Sequence, residues 1–330
     1  MSEMNYNDIG VETGRRHYYS SSQGPFYNAN NIFMFYGGGD RGVIVENIAR
    51  SLRSDERILH VHGERGSGKT MLSLVLSDKL KHRYNTIRYD VPDISGSLLL
   101  RHLLIELCPQ NADLISAEQA QKGVEREAMN AALDCIIEQL SQARSYKSHK
   151  PYVLMIDSQA ELDADVLRIL DQLSSVKASE ESIMHCVVFH RVSEEVARSV
   201  NAHHSSNQPG NHFWLRRLTL AEINEYLQHH MMLFDFNRRE LFTREMSYFI
   251  ADRSEGVFRS INTLARNAFT IANLEDADKL SMSHLLMAGL PPREEPSTES
   301  GFLARHRGQV IALMGSCVVA SAAAAVFLLR

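Results

Sequence analysis

Residues 57–70, Arg-Ile-Leu-His-Val-His-Gly-Glu-Arg-Gly-Ser-Gly-Lys-Thr, decide the fold. Arg57–His62 alternates apolar and polar side chains as a strand does, and the loop Gly63-Glu64-Arg65-Gly66-Ser67-Gly68-Lys69-Thr70 follows it. That loop fits GxxxxGK[ST], with an extra glycine at its fourth position. At average residue frequencies a chain of this length matches by chance on the order of one time in a hundred. The context sharpens the match, because an apolar-periodic helix is expected from Lys69 to about His82. Glycines let successive backbone N–H groups turn toward phosphates at the positive end of such a helix. The loop therefore predicts a nucleoside triphosphate site, with ATP and Mg²⁺ as its cofactors. Lys69 is assigned to the β- and γ-phosphates, and the Thr70 hydroxyl to Mg²⁺.

Working outward, strands and helices alternate. A helix is expected over 41–52, before the glycine loop. After the loop come a strand over 86–91, a helix over 96–107, one long helix from Ser116 to about 145, and a strand over 152–156. Further expectations are a helix over 164–173, a strand over 184–189, a helix over 193–200 and a strand over 213–215. This alternation predicts an α/β fold, a parallel sheet with helices on both faces. Tyr152–Ile156 is a continuous apolar run of the kind buried on both sides, and Asp157 ends it. A carboxylate at that strand end faces the glycine loop and is assigned to Mg²⁺ together with Thr70. After Leu218 only helical periodicity remains, around residues 220–227, 242–250, 261–271 and 282–287.

The expected organisation is a flexible arm over 1–30, a nucleotide-binding domain over 31–218, a small all-helical lid over 219–290, a linker over 291–308 and a transmembrane helix over 309–329. Val310–Leu329 carries only Ser316 and Ser321 as polar side chains. Its 20 residues as a helix would span roughly 30 Å, the thickness of a bilayer core. Arg305, His306 and Arg307 precede it and only Arg330 follows, so the N-terminal bulk is expected in the cytoplasm.

Composition excludes several classes. Of 330 residues, 44% are hydrophobic and 23% charged, as in a globular protein with a real core. The net charge of −5 gives no electrostatic case for nucleic acid. Four cysteines without a CxxC pair fit neither a disulfide framework nor a zinc site, and the fifteen histidines include no HExxH.

The order of these features resembles the AAA+ ATPases of the ORC1/DEAH-type branch, and within it the GspA/ExeA secretion ATPases and the ATPase-bearing relatives of DamX-like cell-division proteins. Ser254-Glu255-Gly256-Val257-Phe258-Arg259-Ser260-Ile261-Asn262 is similar to that group's SxGxPRxIN segment, with Phe258 in place of proline. The resemblance makes Arg259 sensor 2, a lid arginine reaching the γ-phosphate and acting with Lys69 and Asp157 in catalysis. Arg216-Arg217-Leu218, before Thr219-Leu220-Ala221-Glu222, resembles the family's join between sheet and lid.

Two departures bear on chemistry. Ser158 stands where the family usually has an acid that activates water, a role serine does not fill at neutral pH. The Val188-Phe189-His190-Arg191 segment lacks the usual Gly-Gln pair, and Glu161 lies four positions beyond Asp157. Arg198, Arg216 and Arg217 are candidates for an arginine reaching a neighbouring subunit. The resemblance thus implies a homo-oligomeric, membrane-anchored AAA+ ATPase at the bacterial inner membrane, coupling nucleotide state to assembly of an envelope, secretion or cell-division complex with a partner protein there. A hydrolysis-deficient scaffold and a regulator of DNA transactions stay open as alternatives.

Overall fold

The computed structural model describes residues 25–26, 31–91, 94–122, 124–143, 150–158, 162–178, 181–203, 211–233, 241–277 and 279–289. The helix expected over 309–329, the linker before it, most of the arm and Glu161 lie outside these residues. Among the described residues no helix is long and apolar enough to cross a membrane.

The five-stranded sheet has the order β2-β3-β6-β1-β7, built from β1 (Ile58–Gly63), β2 (Asn85–Val91), β3 (Tyr152–Ser158), β6 (Met184–Arg191) and β7 (His212–Trp214). Every pairing in it is parallel. All strand C-termini therefore lie along one end, where α/β sheets place their ligands. β6 lies between the strand that feeds the glycine loop and the strand that carries Asp157. A two-residue pair, β4 (Lys177–Ala178) with antiparallel β5 (Glu181–Ser182), was not visible in the periodicity.

Each strand feeds both faces because its side chains alternate. Leu59 and Val61 of β1, Val153 and Met155 of β3, and Val187 and Phe189 of β6 point to one side. There they pack with Ile44, Ile48 and Leu52 of α1 (Arg41–Arg53) and Leu72 and Leu76 of α2 (Lys69–Leu80). Leu154, Ile156, Met184, Cys186 and Val188 point to the other side. They meet α3 (Gly96–Leu107), α5 (Arg126–Ala143) and α6 (Ala164–Ser175). The long helix expected over 116–145 is two, α4 (Ala117–Lys122) and α5, with Val124 and Glu125 outside both. A capping box opens α4, with Ser116 Oγ accepting from the Gln119 N–H at 3.2 Å and Gln119 Oε1 accepting from the Ser116 N–H at 3.0 Å.

Beyond α7 (Glu194–His203) and β7, four helices form a third core: α8 (Leu220–Leu233), α9 (Arg244–Ser254), α10 (Phe258–Leu274) and α11 (Met282–Ala288). Phe26, which the sequence reading leaves in the arm, is 3% exposed here and lies against His230, Phe242 and Phe269.

Candidate nucleotide site

Gly63 ends β1, and the loop behind it turns on Gly66 and Gly68, whose φ angles of +86° and +98° lie in the left-handed region. Gly68 is the N-cap of α2 and supplies no side-chain cap. The first N–H groups of that helix therefore point out of the loop unsatisfied by a side chain, as an anion site requires. Gly63 leaves room for Ser67, since a Cβ there would lie 2.4 Å from Ser67 Oγ. That hydroxyl is buried and has no hydrogen-bond partner.

Lys69 is nearly buried and donates to the Gly63 and Glu64 carbonyls at 2.8 and 2.9 Å. Burial pushes its ammonium down to about 8; Asp157 and Glu64 pull it back up, while Arg191 and Arg259 push it further down. Four charged side chains thus act on one ammonium. Arg191, at the end of β6 and opposite Gly63 in the strand register, is a site residue outside the motifs above. Its signal was a basic residue closing a buried strand.

Thr70 Oγ1 donates to Asp157 Oδ2 at 2.5 Å. Two hard oxygens at that spacing, beside a loop built for phosphates, fit a Mg²⁺ ion that keeps waters and phosphate oxygens as its other ligands. An orphaned buried hydroxyl, an ammonium satisfied only by carbonyls and an uncapped helix start fit the triphosphate. Asp90 of β2 stands opposite Asp157 in the strand register, and its carboxyl is raised above the usual range, first by burial and then by the Asp157 charge. Arg88 opposes that rise through an ion pair with Asp90.

The start of α10 lies on the loop. The Arg259 N–H donates to the Gly66 carbonyl at 3.2 Å, and a Cβ on Gly66 would lie 2.6 Å from Arg259 Cβ. Phe258 ends 3.9 Å from the position of a Gly68 Cβ and carries the Arg41 guanidinium over its ring at 4.5 Å. Arg41 is 3% exposed and donates to the carbonyls of Ser67 at 3.1 Å, Arg216 at 2.7 Å and Gly39 at 2.7 Å. One buried guanidinium therefore ties the glycine loop, the end of β7 and α10 together.

The arginines weighed for reaching a neighbour are engaged within the chain. Arg216 pairs with Asp40 at 2.7 Å and Glu222 at 2.6 Å. Arg217 grips Glu64 through Nε and Nη2 at 2.6 Å each and also pairs with Glu255. Arg198 meets Glu255 at 2.9 Å on the surface.

His60, His62, His190 and His212 line one sheet face, with Trp214 stacked on His62 at 4.3 Å. His60 Nδ1 is 2.8 Å from His190 Nε2, and His62 Nε2 is 2.9 Å from His212 Nδ1. Among the described residues no group of three or more His, Cys, Asp or Glu is arranged to hold a metal ion.

Comparison with known proteins gives three results. The family model described as "Nephrocystin 3, N-terminal" matches residues 46–191, fewer than half of the chain. None of the curated proteins matches. Among solved structures, Cdc6p from Pyrobaculum aerophilum is similar at a TM-score of 0.50 and 14% identity, covering 78% of this chain and 70% of that one. ORC1 from Aeropyrum pernix, solved in complex with DNA, has a TM-score of 0.49 and 14% identity, covering 76% of this chain and 63% of its own, under two thirds. The RuvB Holliday junction branch migration motor of Thermotoga maritima has a TM-score of 0.44 and 16% identity, covering 78% and 70%. At such identities the likeness is one of fold: a parallel-sheet α/β domain with a glycine loop after its first strand, followed by helices.

Proposed function

We propose that this chain is an ATPase switch that binds ATP with Mg²⁺ at Gly63–Thr70 and couples the bound nucleotide to the position of a helical lid, α8–α11. The observation that carries the reading is the 2.5 Å contact between Thr70 and Asp157, which brings two assigned Mg²⁺ ligands 87 residues apart to one point. Lys69 holds phosphate charge, Thr70 and Asp157 hold the ion, and Arg259, with its backbone on the loop, senses the γ-phosphate from the lid. The ion supplies charge neutralisation on the phosphates.

The finer reading extends the resemblance to GspA/ExeA and DamX-like ATPases carried by Ser254–Asn262. It places the chain at the bacterial inner membrane, anchored by 310–329, as a homo-oligomer acting with an envelope, secretion or cell-division partner. Arg216 and Arg217 are held in partly buried pairs and Arg198 only in exposed ones, so a neighbour's contribution falls to Arg198 or to another residue. A nucleotide-gated scaffold without turnover is the second reading, favoured by Ser158, which is 2% exposed where an acid would activate water.

ATP affinity and turnover of the full chain in detergent, beside Lys69→Ala, test the site. The ATPase reading expects binding and turnover in wild type and neither in the variant. Binding without turnover selects the scaffold, and absent binding overturns both. Flotation with vesicles, with and without residues 310–329, tests the anchor. A chain that stays with the vesicles after losing that segment refutes it.

A further inference from the structure

We propose that Asp90 is the general base that activates the attacking water, in place of the acid that Ser158 displaces; this rests on the ATPase reading above. β2 and β3 run parallel in a register that sets Asp90 opposite Asp157. Such partners point to the same sheet face, and neighbouring strands lie about 4.8 Å apart. The face is the one beneath α2, as three contacts show: Thr70 with Asp157 at 2.5 Å, Ser73 with Met155 at 3.9 Å and Ser77 with Thr86 at 3.0 Å. From Thr86, two steps of two residues along β2 lead through Arg88 to Asp90 at the strand's C-terminal end. Asp90 is therefore one strand over from the Mg²⁺-binding acid, on the nucleotide side of the sheet.

Its condition suits the task. The side chain is 40% exposed, so water reaches it, and the ion pair with Arg88 fixes its direction. Asp90 is itself paired with Arg88, and the other described acids near the loop have tasks of their own. Asp157 accepts from Thr70, and Glu64 is closed onto Arg217. Asp163 caps α6, accepting from the Val166 N–H at 2.7 Å. In the step, a water O–H bond breaks and its proton passes to an Asp90 carboxylate oxygen. The water oxygen bonds to the γ-phosphorus. The bond from that phosphorus to the β–γ bridging oxygen breaks, its electron pair leaving on ADP, and the proton returns to solvent from the exposed side of Asp90. A base in this role contributes about 10²–10⁴-fold.

The test compares full-length wild type, Asp90→Asn, Asp90→Glu and Ser158→Ala for ATP affinity, ATP turnover and unfolding temperature in Mg²⁺. The expected result is a loss of turnover of about 100-fold or more in Asp90→Asn. Its ATP affinity should be equal or tighter, since a negative charge beside the triphosphate is gone, and its unfolding temperature should match wild type. Asp90→Glu should recover part of the rate and Ser158→Ala should keep it. Turnover of Asp90→Asn within about threefold of wild type overturns the assignment while the ATPase reading stands. A parallel loss of affinity and unfolding temperature assigns Asp90 a structural role and overturns it too. If wild type binds ATP without turnover, both this inference and hydrolysis fall, and only the binding site stands.

Discussion

Arg217, from the segment after β7, closes both Nε and Nη2 onto the carboxylate of Glu64 in the glycine loop, at 2.6 Å each. The two side chains are 10% and 5% exposed, so this is a buried, bidentate pair. Removing one partner strands the other's charge. Arg217→Met or Glu64→Gln alone should destabilise the fold by about 3–5 kcal/mol. Arg217→Met combined with Glu64→Gln should recover much of that loss, because no unpaired charge remains. Urea unfolding of the two singles and the double measures the coupling, and additive losses would refute it.

Thr70 and Asp157 should act as one Mg²⁺ site. Asp157→Asn should weaken ATP binding about tenfold or more in Mg²⁺, or 1.4 kcal/mol. In excess chelator the same substitution should change little, because the loop and Lys69 still hold the phosphates. Equal losses under both conditions would remove Asp157 from the ion.

The Lys69 ammonium predicts a pH dependence for binding. Its value in the free protein is lowered to about 8, and a bound triphosphate favours the charged form, so it must rise on binding. Affinity should therefore be highest below pH 8 and fall as pH rises through it. Near pH 8.5 binding should take up protons, visible as a calorimetric heat that changes with the buffer's ionisation heat. A flat profile from pH 7 to 9 would contradict this.

The histidine face predicts weakness in acid. Burial, then neighbouring imidazoles, lowers His60 to about 4 and His62 to about 3, against 6.5 unfolded. Between those values and 6.5 the unfolded chain binds more protons, so stability is full above pH 6.5 and is lost as pH falls through that window. The urea midpoint should drop between pH 7 and pH 5, and His60→Asn should flatten the drop. An equal slope in that variant would clear the cluster.

Gly66→Ala should loosen the contact between loop and α10. The new Cβ would lie 2.6 Å from Arg259 Cβ, at a φ of +86° that alanine adopts only under strain. The expected result is weaker ATP binding with the sheet intact by far-ultraviolet circular dichroism. Unchanged affinity would place Arg259 away from the nucleotide's path.

The glycine loop, the strands of the parallel sheet and the meeting of Thr70 with Asp157 were legible in the sequence. These depend on local spacing: a buried apolar run needs a sheet, and phosphates need glycines ahead of a helix. Gly66 and Gly68 ahead of α2 were legible for the same reason. The break between α4 and α5 was not, because apolar periodicity continues across it. Tertiary structure alone decided what met across the sheet's end. Only the register of β2 on β3 sets Asp90 beside Asp157. Only the folding of α10 over the loop brings Arg259 to Gly66, and only the docking of β7 on β1 gathers four histidines on one face. Arg216 and Arg217 are candidates for a neighbouring subunit in the sequence, yet the fold pairs them with Asp40, Glu222, Glu64 and Glu255. Such pairings are set by strand order and helix packing, and a linear pattern does not encode those until the core has closed.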